Sequence, residues 1–201
     1  KEVSRKVLVD KQPEIISVGT KVSTTTNYLD YSNKDLSWWY RPGTPKATID
    51  SDIARLIAKY NVIWQIPTTQ KVVYLTFDEG YEYKQNTLSI LNTLKTKGVK
   101  ATFFITGGYY TSHPELVKKM MAEGHQVANH TVHHYRASTA LNESTQKYID
   151  DVVNLDKQVP GLVKLHRPPE GGYSERSLKI LKDLGYKSVF WSFAYKDWET
   201  T

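Results

Sequence analysis

The sequence predicts an α/β chain, a (β/α) barrel, on three observations. From Val72 onward, short apolar runs rich in β-branched and aromatic residues alternate with amphipathic helical stripes. The connections between them are short, and polar, ionisable residues recur at the same end of each predicted strand. Alternation of this kind builds parallel βα units, and in such units ligands and chemistry gather outside the C-terminal strand ends.

Composition narrows the class further. With 201 residues, 39% of them hydrophobic, the chain can bury one core and a small appendage. It has no cysteine, so any metal must be held by His, Asp or Glu. A net charge of +6 and a pI near 9.2 favour polyanionic surroundings such as nucleic acid or an anionic cell wall. The lysines are scattered and form no basic helix or aromatic-interleaved patch, which argues against nucleic acid. No apolar run approaches the ~20 residues of a membrane span. The chain opens at Lys1 with neither methionine nor a signal-like apolar region, and so reads as a processed piece of a longer protein.

Taken in order, residues 1–20 alternate polar and apolar around Pro13, the pattern of short exposed strands. Residues 21–34 are rich in Ser, Thr and Asn and read as a linker, which assigns 35–201 to the main domain. Trp38, Trp39 and Tyr40 precede a Pro/Gly turn; they could stack on sugar, but a hydrophobic plug closing one end of the barrel is the favoured reading. Apolar residues at 49, 53, 56 and 57 have helical spacing.

The first strand of the repeat, Val72 to Phe77, is almost continuously apolar, as suits a strand covered on both faces. Leu88, Leu91 and Leu94 form a helical stripe stopping at Gly98, before the strand 101–105. Ser112-His113-Pro114-Glu115 reads as a capping box opening a helix that runs to Gly124, and 126–129 is the next strand. Tyr148, Val152, Leu155 and Val159 mark a third helix before the strand 163–165. A fourth helix spans 174–184, and 187–193 is the last strand.

At the strand ends stand Asp78-Glu79, His130-Thr131-Val132-His133-His134, Arg167-Pro168-Pro169-Glu170-Gly171 and Asp197-Trp198. Asp-Glu-Gly alone is also an ordinary turn, and a single histidine is commonly a satisfied surface or core residue. Convergence of four such groups on one face is instead the mark of an enzyme. His130 and His134, four apart, can point at one ion from one helical turn with a strand-end carboxylate completing the set; His133 in place of His134 is the weaker choice. Zinc or a similar divalent ion fits such ligands. Asp78 beside it can serve as base if Arg167 holds it ionised and oriented, and Pro168 keeps Arg167 extended.

Thr76-Phe77-Asp78-Glu79-Gly80, His130-Thr131-Val132-His133-His134 and Arg167-Pro168-Pro169-Glu170-Gly171 together resemble the first three motifs of the NodB-like polysaccharide deacetylases, over residues 70–198. The resemblance implies a barrel of the deacetylase type with Asp78 as catalytic base, Glu79, His130 and His134 as metal ligands, and Arg167 orienting the base. The segment 190–198 resembles the fourth motif, which implies a catalytic tuning role for Asp197, and the substrate contacts expected of such an enzyme are Pro168, Gly171, Tyr173 and Trp198. Within the family, residues 76–82 and 190–198 look most like the delta-lactam-forming peptidoglycan deacetylases, which act on N-acetylmuramic acid. Residues 1–20 resemble the end of a G-five module of secreted cell-wall proteins. The implied protein is a zinc-dependent peptidoglycan N-deacetylase, extracellular and associated with the cell wall. A non-catalytic wall-binding module and a deacetylase of chitin or xylan are the alternatives.

Three positions depart from the family pattern. Glu79 stands for the usual Asp, Ala194 stands where many members have another Asp, and no Leu-x-His motif, the family's source of the general acid, precedes Thr201. With too few strands to close a barrel, the expectation is that the natural protein continues past Thr201 and that residues 1–201 alone are a poor catalyst.

Overall fold

A computed structural model describes residues 26–43 and 46–194. The predicted G-five-like segment 1–20 lies outside the described residues. So do Asp197 and Trp198. A short strand β1 (Leu36–Ser37) is followed by α1 (Ser51–Lys59), β2 (Thr76–Glu79), α2 (Asn86–Lys97), β3 (Thr102–Ile105), α3 (Gly107–Ser112), α4 (Pro114–Ala122) and β4 (Gln126–Asn129). The order continues with α5 (Ala137–Glu143), α6 (Thr145–Gln158), β5 (Val163–His166), β6 (Gly172–Tyr173), α7 (Glu175–Asp183) and β7 (Lys187–Ser188).

Five strands form a parallel sheet in the order β2-β3-β4-β5-β7, each reached from the last by a helical crossover. Ile63 bridges in parallel onto Val189 beyond β7, and among the described residues no bridge joins that edge back to β2. The predicted parallel α/β architecture is therefore present as an open sheet. Alternation along the strands sorts side chains into two layers. Phe103, Ile105 and Val127 face α2 and α4 in one cluster, while Phe104 and Ala128 meet Val189, Leu165 and Ile63 on the other face.

Some boundaries differ from the sequence reading. Residues 72–75 are exposed and outside the sheet, with the Val72 N–H donating to the Gln70 carbonyl and the Leu75 carbonyl accepting from Thr102 N–H; Val73 is 83% exposed. β2 is an edge strand with β3 as its neighbour in the sheet, so the apolar run is not covered on both faces as expected. Ser112 does not cap α4. Thr106 accepts from the Tyr109 N–H and starts α3 directly after β3, so Ser112 ends that helix and His113 precedes Pro114. The capping box of this chain is instead Ser174 with Ser177 at the start of α7. Helix α2 ends as predicted at Gly98, whose φ of 63° only glycine adopts without strain.

Residues 26–34, read as the second half of a linker, lie against the domain. Tyr28 is buried among α5, α6 and α7, and Asn33 donates to the Ser138 carbonyl and to Asn142. The aromatic pair after β1 splits its roles. Trp38 is 6% exposed, stacks on Phe190 at 4.4 Å and donates its Nε1–H to the Trp191 carbonyl, whereas Trp39 is 70% exposed. Trp38 is thus the plug, and Trp39 is not part of it. Trp38→Ala should cost ~3–5 kcal/mol in denaturant unfolding, and Trp39→Ala less than ~0.5 kcal/mol; equal losses would contradict this division.

Candidate active site

The sheet register aligns Glu79, Ile105, Asn129, His166 and Ser188 in one row across the five strands. Members of one row point the same way, and this row faces the helices: Ile105 packs with α2 and α4, and Asn129 donates to the Val152 carbonyl and Asp156 of α6. The positions on either side of the row face the opposite layer. Asp78 precedes it, and His130 and Arg167 follow it at the C-terminal strand ends.

Arg167 is the hub. Its guanidinium is buried over the Phe104 ring at 4.3 Å and near Trp191 at 5.6 Å. Nη1 donates to Asp78 Oδ1 at 2.8 Å, Nη2 to Thr76 Oγ1 at 2.9 Å, and Nε to the Val189 carbonyl at 3.3 Å. The main chain of the same residue does equal work. Its N–H donates to the Asn129 carbonyl, and its own carbonyl accepts from His130 Nδ1 at 2.7 Å.

That last bond assigns a tautomer. A carbonyl only accepts, so His130 Nδ1 carries the proton and Nε2 presents the lone pair. His130 is buried, and desolvation lowers its pKa despite the nearby charge of Asp78, which keeps the ring neutral as a metal ligand must be. The His134 ring lies 4.9 Å from it, centroid to centroid. The loop between them turns through positive φ at Thr131 (67°) and His134 (59°) and is closed by His134 N–H donating to Thr131 Oγ1. His133 turns elsewhere: its Nδ1 bonds Asp151 Oδ1 at 2.6 Å and its ring stacks on Tyr135.

These two histidines suit a divalent ion, since a ligating imidazole fixed through its other nitrogen to a carbonyl is the usual arrangement. Glu79 is not gathered with them. Among the described residues no group of three or more His, Asp or Glu side chains converges as a metal site. The alternation of β2 is the physical reason, because it turns Glu79 to the helix side, where its charge acts on the Tyr109 hydroxyl, and Asp78 to the side of Arg167 and His130.

Of the residues expected to touch substrate, Pro168, Gly171 and Tyr173 are all buried. Tyr173 is 0% exposed, because β6 pairs with β1 and seats its ring against Phe190. Gly171 has φ 63°, and a Cβ there would lie 2.8 Å from the Trp191 ring. They form the wall behind Arg167 and not a groove surface. Two residues the sequence reading passed over also stand here. Asp151 holds His133, and its place in the apolar stripe of α6 beside Tyr148, Val152 and Leu155 was a visible signal. His166 is fully buried beside His130, with neither ring nitrogen hydrogen-bonded among the described residues.

Residues 65–189 match the polysaccharide deacetylase family. The chain is 37% identical over 171 residues to the peptidoglycan-N-acetylmuramic acid deacetylase PdaA of Bacillus subtilis (strain 168), a match covering 83% of this chain and 65% of that protein. The solved structure of Bacillus subtilis PdaA, a family 4 carbohydrate esterase, aligns with a TM-score of 0.75 at 33% identity over 84% of this chain and 73% of that one. A family 4 carbohydrate esterase from Bacillus anthracis aligns with a TM-score of 0.73 at 33% identity, covering 84% and 78% of the two chains. The chain thus spans 64% and 65% of the length of two of the curated relatives it matches.

Burial pulls the pKa of His166 down from 6.5 to about 3. The unfolded chain takes up this proton near 6.5 and the folded chain does not until about 3, so stability is full above that upper value and falls as pH drops through the window. His125 and His130 are shifted the same way, chiefly by burial. Denaturant midpoints of the metal-free protein should fall from pH ~7.5 to ~4.5, and His166→Leu should flatten that fall; an unchanged slope in the variant would contradict the assignment.

Proposed function

The chain belongs to the polysaccharide deacetylase family, and on that premise we propose that the protein is a metal-dependent hydrolase that removes N-acetyl groups from the amino sugars of peptidoglycan, N-acetylmuramic acid foremost. The observation that carries the reading is the double use of Arg167: its side chain anchors Asp78 and its carbonyl sets the tautomer of His130. Members of the family generally depend on a divalent metal. We assign zinc as the ion, with His130 and His134 as the residues that hold it. Glu79 joins them as a ligand by turning from the helix side of β2, and Asp78, on the histidines' side, is left as the base. When bound, such an ion supplies positive charge that polarises an amide carbonyl.

The chain's own residues supply the rest. Asp78, partly exposed and fixed by Arg167, takes the proton of an attacking water. The water oxygen bonds to the acetyl carbon, the C–N bond breaks, and the nitrogen takes up a proton to leave acetate and a free amine. Thr76 and the rings of Phe104 and Trp191 hold the guanidinium in one pose, so the base is pre-positioned. The tuning role expected of Asp197 and the substrate contact expected of Trp198 fall outside the described residues.

Similarity to a protein named for N-acetylmuramic acid supports the choice of sugar. A peptidoglycan substrate puts the protein outside the cell at the wall, and a net charge of +6 suits an anionic wall. No helix among the described residues is long and apolar enough to cross a membrane. Mass spectrometry of peptidoglycan fragments incubated with the full-length protein should reveal deacetylated amino sugars, and a chelator should suppress them. Asp78→Asn should lower the rate ~10²–10⁴-fold while leaving zinc binding in calorimetry largely intact; near-normal turnover in that variant would remove Asp78 as base.

A further inference from the structure

We propose that Asp151 of α6 is a positioning residue for the histidine pair, holding the loop 130–134 in the one shape that presents both rings to a common ion. The inference rests on the reading of His130 and His134 as the metal-holding pair.

The loop needs holding. Thr131 and His134 both adopt positive φ without being glycine, a strained backbone that persists only when its surroundings hold it. Its internal bonds, Thr131 N–H to Asn129 Oδ1 and His134 N–H to Thr131 Oγ1, fold the segment on itself but tie it only to the end of β4. The Thr131 carbonyl accepts from Gly107 N–H on the α3 side. His130 N–H donates to the Ile105 carbonyl at the start of the loop, and the middle of the loop is tied to α6 through one residue. Val132 N–H donates to the Asp151 carbonyl at 3.0 Å, His133 N–H donates to Asp151 Oδ1 at 2.9 Å, and His133 Nδ1 meets the same oxygen at 2.6 Å.

Residue 151 is also the wrong type for its place unless it does this work. It sits on the apolar stripe of α6, 4% exposed, between Tyr148 and Leu155, and its Oδ2 has no hydrogen-bond partner among the described residues. A buried carboxylate with half its acceptors unused is costly, and a near-isosteric Leu would suit the helix better. What Leu cannot do is accept from the two His133 donors. Asp151 thereby fixes the residue next to His134, while Arg167 fixes His130. The end of β5 thus sets the His130 ring directly, and α6 sets the main chain that leads into His134.

The test is zinc titration by calorimetry on the wild type, Asp151→Leu, Asp151→Asn and His130→Ala, with metal-free melting temperatures measured beside it. Asp151→Leu should keep or raise the melting temperature yet bind zinc ~tenfold or more weakly. Asp151→Asn, which retains an oxygen for the His133 donors, should recover most of the affinity. Wild-type affinity in Asp151→Leu, with His130→Ala impaired, would overturn the positioning role alone. A Leu variant whose melting temperature falls in step with its affinity would make the residue merely structural, and an Asn variant no better than Leu would refute the hydrogen-bond basis. Unimpaired binding in His130→Ala would instead sink the metal reading on which the proposal stands.

Discussion

The buried guanidinium of Arg167 is the constraint on which the rest of the site depends. A charge taken out of water at the end of β5 is tolerated only if its donors are used and a counter-charge is near. Here Asp78 supplies the counter-charge from three strands away, and Thr76 and the carbonyl of Val189 take further donors. The ring of Phe104, from the strand beside Asp78, supplies the surface the cation rests on. One residue therefore draws β2, β3, β5 and the segment after β7 to a point. Because its carbonyl also receives the proton of His130, the end of β4 is tied to the same point. Lysine would keep the main-chain carbonyl but lacks the planar fork and the stacking face that gather the other groups.

The order of helices and strands was legible because it rests on periodicity. The stripes ending at Gly98 and near Val159 reappear as α2 and α6, and the stripe 174–184 as α7. What escaped were elements set by local chemistry. Helix α3 has too few apolar residues to make a stripe; it exists because Thr106 caps it and Tyr109 is buried. The expectation of a long first strand failed for the opposite reason. The residues 72–75 have the composition of a covered strand, but pairing is a property of neighbours, and β2 has β3 beside it on one side of the sheet. Trp38 and Trp39 are indistinguishable as letters, and only the pairing of β1 with β6 decides which faces inward.

The site was legible in its residue types more than in its partnerships. Asp78 meets Arg167, and His130 lies beside His134, but the two histidines sit on a loop turning through positive φ and not on the one helical turn that a four-residue spacing suggests. Glu79 is separated from them by the two-residue period of the strand, which adjacent letters conceal. Tyr173 was expected to touch substrate, yet β6 turns it into the core. Asp151 was readable only as an anomaly, a carboxylate on an apolar stripe, with its purpose appearing once α6 is laid against the histidine loop.

The central claim is that Arg167 positions the base while its main chain positions the metal pair. Arg167→Lys separates the two, because it keeps the carbonyl that receives His130 and loses the fork that holds Asp78. Acetate release from peptidoglycan fragments by this variant, measured under zinc saturation, should fall ~10²-fold or more, with calorimetric zinc affinity close to that of the wild type. Wild-type rates of release from Arg167→Lys would contradict the claim.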